Sequence, residues 1–284
     1  MRRFFFLKNL ILIFFALGAL VAGVGRSAFA AEGPSSGISG MTEYKQNIST
    51  REYEKRYNAV YGKFTQQMAQ QGNPADFVLD DGKDLFSKVE GSAGKSCASC
   101  HGENGVKLKG VAAAYPKYDP AIKGVNTVAL QINRCRKDHM GAPELKYESH
   151  DQLALELYVK SLSNGVPINV SIDGPARPFY EAGEAFYYKR LGQLNISCAM
   201  CHIKYAGHMI RANLLSNNRH HADHWPGYRL KWGKTGSLQK RFKGCNKKIR
   251  AKPLAFQSET YRDLELYLTY QANGLPVEVP GFRM

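Results

Sequence analysis

Two short segments carry residues whose order could do chemistry. Residues 97–101 read Cys97-Ala98-Ser99-Cys100-His101, and residues 198–202 read Cys198-Ala199-Met200-Cys201-His202. Two thiols about one helical turn apart can add to the two vinyl groups of a single porphyrin, and the histidine that follows is then placed to bind the iron. A zinc site would call for four ligands, usually as paired Cys-x-x-Cys units without this adjacent histidine. A redox Cys-x-x-Cys would sit in a βαβ setting that the flanking residues do not suggest. The two segments therefore predict two covalently bound haem c groups, attached through Cys97 and Cys100 and through Cys198 and Cys201, with His101 and His202 as iron ligands.

An internal repeat bears on the remaining cysteines. Leu155-Glu156-Leu157-Tyr158 recurs as Leu264-Glu265-Leu266-Tyr267, and Asn164-Gly165-Val166-Pro167 recurs as Asn273-Gly274-Leu275-Pro276. Tyr115-Pro116 corresponds to Trp225-Pro226, with about nine extra residues between His202 and Trp225. The period is far too long for a solenoid and reads as a duplicated domain. Cys135 and Cys245 occupy equivalent positions, each downstream of its own haem motif. Haem iron accepts thiolate sulfur. His139 and Met140 are other candidate ligands, but the repeat turns them into Ile249 and Arg250; His208 and Met209 have no partner in the first half. Cysteine satisfies both halves, so Cys135 and Cys245 are the expected second iron ligands. The alternative is a disulfide between them, which requires Cα atoms within about 7 Å.

The surroundings of these two cysteines differ. From Lys240 to Lys252, seven of thirteen residues are basic and none is acidic, whereas Asp138, Glu144 and Glu148 offset the bases near Cys135. Cations favour the thiolate and hold anions. Gly244 removes a side chain beside Cys245. The second site is expected to be catalytic and the first an electron relay.

Helices must position these residues. The predicted fold class is mainly α, with two tandem c-type cytochrome domains, related by duplication, whose long loops wrap the haems. Residues 76–175 form the first domain and 176–284 the second. Leu153 to Leu162 and Leu264 to Tyr270 read as amphipathic closing helices, each ended by Asn-Gly. Residues 31–75 form an N-terminal extension in which Gly33 to Gly40 is Gly/Ser-rich. Tyr53, Tyr57, Val60, Phe64 and Met68 then recur at helical spacing, predicting a helix packed on the first domain. The segment with His208, His220, His221 and His224 reads as a solvent-exposed loop.

The chain of 284 residues carries 39 Lys and Arg against 24 Asp and Glu. Arg2, Arg3 and Lys8, the apolar run Leu10 to Val24 and the small residues around Ala28 to Ala30 predict a signal peptide over residues 1–30. The mature chain is then expected to be periplasmic and free of the membrane, with a basic surface suited to small anions or acidic proteins. Nucleic acid is not an expected partner in that compartment.

These residues resemble the SoxA family, the di-haem subunits of sulfur-oxidising SoxAX cytochromes. The resemblance is most specific over Arg241-Phe242-Lys243-Gly244-Cys245 and Ile249-Arg250-Ala251-Lys252-Pro253. It implies that Cys245 is a catalytic iron ligand found as a cysteine persulfide and that Arg241 binds substrate; Lys243 and Arg250 are expected to assist. The implied activity is that of an L-cysteine S-thiosulfotransferase, which joins thiosulfate to a cysteine of the SoxYZ carrier and passes two electrons through the haems. The implied partners are a SoxX cytochrome subunit and a downstream c-type cytochrome acceptor. A thiosulfate dehydrogenase forming tetrathionate and a pure di-haem electron carrier are the alternatives.

Overall fold

Caps written into the sequence start most of the helices. In the computed structural model, which describes residues 47–284, Ser49 caps α1 (Thr50–Gln71) and Ser96 closes a capping box on α3 (Cys97–His101). Thr127 caps α4 (Val128–Cys135), Ser149 caps α5 (His150–Ser161) and Ser237 caps α7 (Leu238–Lys248). Each side-chain oxygen accepts an otherwise unpaired N–H of the first turn. The remaining helices are α2 (Asp76–Ser87), α6 (Arg177–Tyr188) and α8 (Glu259–Gln271). The expected signal peptide and the Gly33 to Gly40 stretch lie outside the described residues.

The same order of elements is met twice. A helix (α2, α6) precedes the Cys-x-x-Cys-His turn. A short hairpin follows, β1 (Lys117–Asp119) with β2 (Gly124–Asn126) and later β5 (Gly227–Arg229) with β6 (Lys234–Gly236), both antiparallel. Next comes the helix that ends in the remaining cysteine (α4) or carries it (α7), then the closing helix (α5, α8). Only the second half adds the hairpin β3 (Met209–Ile210) and β4 (Asn213–Leu214) and the strand β7 (Gly281–Arg283), parallel to β5. The extra residues of the second half are thus the β3–β4 hairpin and the histidine segment after it.

Glycine sets the closest helix crossing in each half. A Cβ on Gly82 of α2 would sit 2.1 Å from the carbonyl oxygen of Ala154 in α5, and a Cβ on Gly183 of α6 would sit 2.1 Å from that of Asp263 in α8. Neither contact can be relieved by a rotamer change, because the obstacle is backbone.

The two Asn-Gly-x-Pro segments do more than end helices. They join the halves reciprocally. Asn164 accepts from the Val279 N–H and donates to its carbonyl, and Asn273 does the same for Val170. Between them, Gly165 N–H donates to the Val277 carbonyl (2.9 Å) and Ile168 N–H to that of Leu275 (2.8 Å). Leu157 of α5 and Leu266 of α8 meet Ile168, Val170, Val277 and Val279 in one core cluster. This changes the character of the closing helices. The sequence predicts amphipathic faces, but α5 is buried at every residue from Gln152 to Tyr158, since it is covered by its own half on one side and by the other half on the opposite side.

The N-terminal helix also departs from expectation. It packs on the second half, not the first. Ile48 and Tyr53 cluster with Ala206, the Tyr61 hydroxyl donates to the Ala212 carbonyl (2.9 Å) and accepts from the Leu214 N–H (2.8 Å), and Phe64 packs on Phe282. The β3–β4 hairpin, absent from the first half, supplies the docking surface.

Gly183→Ala should lower stability by about 1–3 kcal/mol through overpacking, although helix propensity alone favours Ala by about 1 kcal/mol; a denaturant midpoint that rises would contradict the crossing described. A second expectation concerns Glu156, whose carboxyl burial pushes up to about 8 despite Lys160 nearby. A folded pKa above the unfolded one contributes stability at low pH that is lost as pH rises through about 8. Melting curves from pH 6 to 9 should therefore fall for the parent chain and flatten for Glu156→Gln.

Candidate active site and haem positions

The second motif is wound tightly enough to present three side chains to one space. Ser197 accepts from the Met200 N–H (3.1 Å), and a wide turn over Met200–Lys204 follows Cys198. The His202 Nδ1 donates to the Ser216 carbonyl (2.7 Å). That bond orients the ring and leaves Nε2 available for a metal, the usual arrangement of a ligating histidine. The His202 ring lines the same cavity as the Cys245 sulfur and helps lower its pKa. Cys198, Cys201, His202 and Cys245 line a cavity of about 450 Å³ whose walls include Ile196, Leu238, Phe242 and Leu264. Thiols for attachment, an imidazole, a facing sulfur and apolar walls form a donor set that fits a c-type haem. Burial pushes the Cys198 thiol up to about 12.

Cys245 behaves otherwise. Desolvation raises its pKa, but the Arg241 guanidinium and the His202 ring more than offset this, and the thiol falls to about 6. Arg241 Nη1 donates to the Cys245 sulfur at 3.0 Å. Arg241, Cys245 and Lys248 are spaced i, i+4 and i+7 along α7 and so share one face. All three line the cavity, with Arg211, Arg229 and Lys231 from the hairpin region and from β5 and its turn. Arg229 is 4% exposed, donates to Asn213 (3.2 Å), and is lowered to about 10 by burial and by Arg241.

Lys243 and Arg250, expected to bind substrate, do not line this cavity. Lys243 lies two residues from Cys245, so it leaves the helix on the other side and its ammonium sits 4.1 Å from the Phe256 ring centroid. Arg250 follows the end of α7 with φ 57° and borders a separate hollow with Phe186, Gly192 and Leu254. The basic residues that do face the sulfur come from helix periodicity and from β5, which no sequence window around Cys245 contains.

The histidine segment also differs from the exposed loop expected. His208 stays exposed, but His221 and His224 fold into the cavity wall. The His221 ring meets that of His202 edge-on at 4.3 Å, and its Nε2 lies 3.3 Å from the Tyr187 hydroxyl. Burial, then His202, drives its pKa well down, so it stays neutral. Behind it, Asp223 remains ionised despite burial because His224, His220 and Arg283 surround it. Among the described residues, no group of three or more His, Cys, Asp or Glu side chains is arranged to hold a metal ion.

In the first half, Cys97 packs with Phe86, Leu155 and Tyr158, and the His101 ring lies 6.4 Å from that of Phe86. Burial raises Cys97 to about 11, and Cys135 is close enough to contribute. Gln131 Nε2 donates to the Cys135 sulfur at 3.1 Å. Gln131 precedes Cys135 by four residues, as Arg241 precedes Cys245, so equivalent sulfurs meet a neutral donor in one half and a cation in the other. None of the six cysteines is in a disulfide, so no bridge joins Cys135 to Cys245.

Comparison with known proteins agrees with this geometry. The family model described as the SoxA/TsdA cytochrome c domain matches residues 81–168. The "L-cysteine S-thiosulfotransferase subunit SoxA" of Pseudaminobacter salicylatoxidans is 42% identical over 213 residues, 74% of this chain and 73% of the relative. The protein of the same name from Rhodovulum sulfidophilum is 41% identical, over 74% of this chain and 73% of its own. The crystal structure of SoxXA from P. pantotrophus superposes with a TM-score of 0.71 at 36% identity, over 75% of this chain and 79% of that one. With a thiol-rich cytochrome motif in each half, an arginine on the sulfur of Cys245 and this degree of identity over three quarters of its length, the chain belongs to the SoxA family.

Proposed function

We propose that this chain is an L-cysteine S-thiosulfotransferase subunit that joins thiosulfate oxidatively to a cysteine of the SoxYZ carrier. The observation that carries this reading is the contact of Arg241 with Cys245 inside a cavity lined by cations. Thiosulfate is a small dianion. Arg241, Arg229 and Lys248 would hold its sulfonate oxygens by charge-assisted hydrogen bonds, leaving the outer sulfur toward Cys245. Forming one sulfur–sulfur bond from two reduced sulfurs releases two electrons, and c-type haems, when bound, accept electrons one at a time. Cys245 sulfur then carries the thiosulfate. A carrier thiolate attacks the sulfur bonded to Cys245, forms the new disulfide bond and releases the Cys245 thiolate.

Further parts of the reading rest on the motifs and on relatives. His101 with Cys135 and His202 with Cys245 would ligate two haem c irons, in domains over residues 76–175 and 176–284 that arose by duplication. The repeated order of elements and the reciprocal Asn164 and Asn273 contacts support that origin. A SoxX cytochrome subunit is the expected partner, since the similar solved structure is of SoxXA. A downstream c-type cytochrome would take the electrons, and the signal-like N-terminus supports a periplasmic setting. Cys245 as a persulfide would extend the reacting sulfur further into the cavity. Tetrathionate formation is the alternative reaction; tetrathionate produced from thiosulfate without any carrier protein would favour it.

Cys245→Ser should abolish transfer of thiosulfate to carrier while mass spectrometry still finds every haem attached; full activity in this variant would refute the role given to the sulfur. Arg241→Gln should lower kcat/KM by roughly 10–100-fold, the loss of one charge-assisted hydrogen bond of about 1.5–3 kcal/mol. Its residual rate should also depend less on ionic strength than that of the parent chain.

A further inference from the structure

Positions that the repeat makes equivalent carry different charge in the two halves. Asp119 in β1 corresponds to Arg229 in β5, Gln131 in α4 to Arg241 in α7, and Asp138 to Lys248, each at the same separation as Cys135 and Cys245. At all three places an acidic or neutral side chain of the first half is a cation in the second.

In the first half Asp138 is exposed, and Asp119 and Gln131 belong to a closed network. Arg134 is paired with Asp119, and Asp119 also accepts from Asn126 Nδ2 (2.9 Å). The same Nδ2 donates to Gln131 Oε1 (2.6 Å). Asn126 is fully buried and both groups facing its nitrogen are acceptors, so its amide has one workable orientation. Gln131 Oε1 is then committed as an acceptor, which turns Nε2 toward the Cys135 sulfur. The Oδ1 of Asn126 is left without a partner, a cost accepted to hold this arrangement. The second half has Gly236 where Asn126 stands and Gly244 where Arg134 stands, so nothing there reproduces the lock.

We propose that Gln131, locked by Asn126, is a positioning residue that makes Cys135 a permanent, charge-balanced iron ligand and keeps the first haem site an electron relay. The inference rests on the reading of Cys135 as a haem ligand. A neutral donor to a thiolate withdraws some electron density from the iron without adding charge, and second-shell hydrogen bonds of this kind tune a haem's potential. A cation at the same place would favour the reduced iron further and would invite anions. The first site therefore has the lower potential, set by Gln131 and the Asp119–Arg134 pair, and offers no anion-binding group at its sulfur.

The test is an EPR-monitored redox titration of the full chain with its haems, in complex with its cytochrome partner. Cys135→Ala assigns the first site by removing its thiolate-ligated ferric signal; a signal unchanged by this variant overturns the ligand reading itself. Gln131→Leu should make the first potential more negative, by about tenfold in the reduction equilibrium, or about 59 mV for one electron. Gln131→Arg should move it the opposite way, and the second haem should not move in either variant. If Gln131→Leu fails to retain haem, Gln131→Glu keeps the shape, cannot donate when ionised, and should also lower the potential. A first potential indifferent to Leu, Glu and Arg at this position, or one that shifts in step with the second haem, overturns the proposal.

Discussion

A thiolate held against a guanidinium is the constraint around which the second half is organised. Cys245 sits where burial should keep it protonated, and the Arg241 cation one helical turn earlier, with His202, reverses that preference. The arrangement depends on α7 being a regular helix through residues 241, 245 and 248, hence on the Ser237 cap that starts it, and Leu238 and Phe242 beside Cys245 add the apolar wall of the same cavity. The cavity gathers further positive charge from β5, so the cations repel one another as well as attracting an anion. Burial first, and then the charge of Arg241, lowers the basicity of Arg229. In the proposed function, binding a dianion would relieve this like-charge crowding.

The same scaffold holds both sulfurs. In each half a glycine lets the leading helix touch the closing helix, a side-chain cap starts the turn bearing the cysteines of the motif, and a short hairpin precedes the helix with the remaining cysteine. What differs is the charge at corresponding positions. A fold that places residues so reproducibly can change the chemistry of a site by substitution alone, without new backbone. The reciprocal bonding of Asn164 and Asn273 explains how the halves stay in fixed relation, because four buried backbone groups would be orphaned if they parted.

The elements without counterparts all gather on the second half. The β3–β4 hairpin, the histidine segment, the β7 strand and α1 surround one side of the Cys245 cavity. Arg283 from β7 binds His224 and interacts with Tyr53 of α1, and Glu54 of α1 reaches His220. These contacts rigidify the wall behind His202. The half read as a relay has no such reinforcement.

Much of the site was legible because covalent attachment and helix periodicity are local. The two motifs and the equivalence of Cys135 with Cys245 follow from spacing along the chain, the role of Arg241 comes from the family resemblance, and the closing helices and their Asn-Gly ends follow from short-range patterns. The departures share one cause. Lys243 and Arg250 lie beside Cys245 in sequence but not in space, since a helix sends neighbours to different faces and the chain turns away after α7. Arg229 lies far from Cys245 in sequence and reaches its cavity through a strand pairing. The docking of α1, the burial of His221 and His224, and the covering of α5 on both sides depend on which surfaces meet. Local sequence determines which side chains can form a turn, cap a helix or share its face. Tertiary packing decides which distant charges converge on one sulfur, because convergence depends on the relative placement of elements that share no local signal.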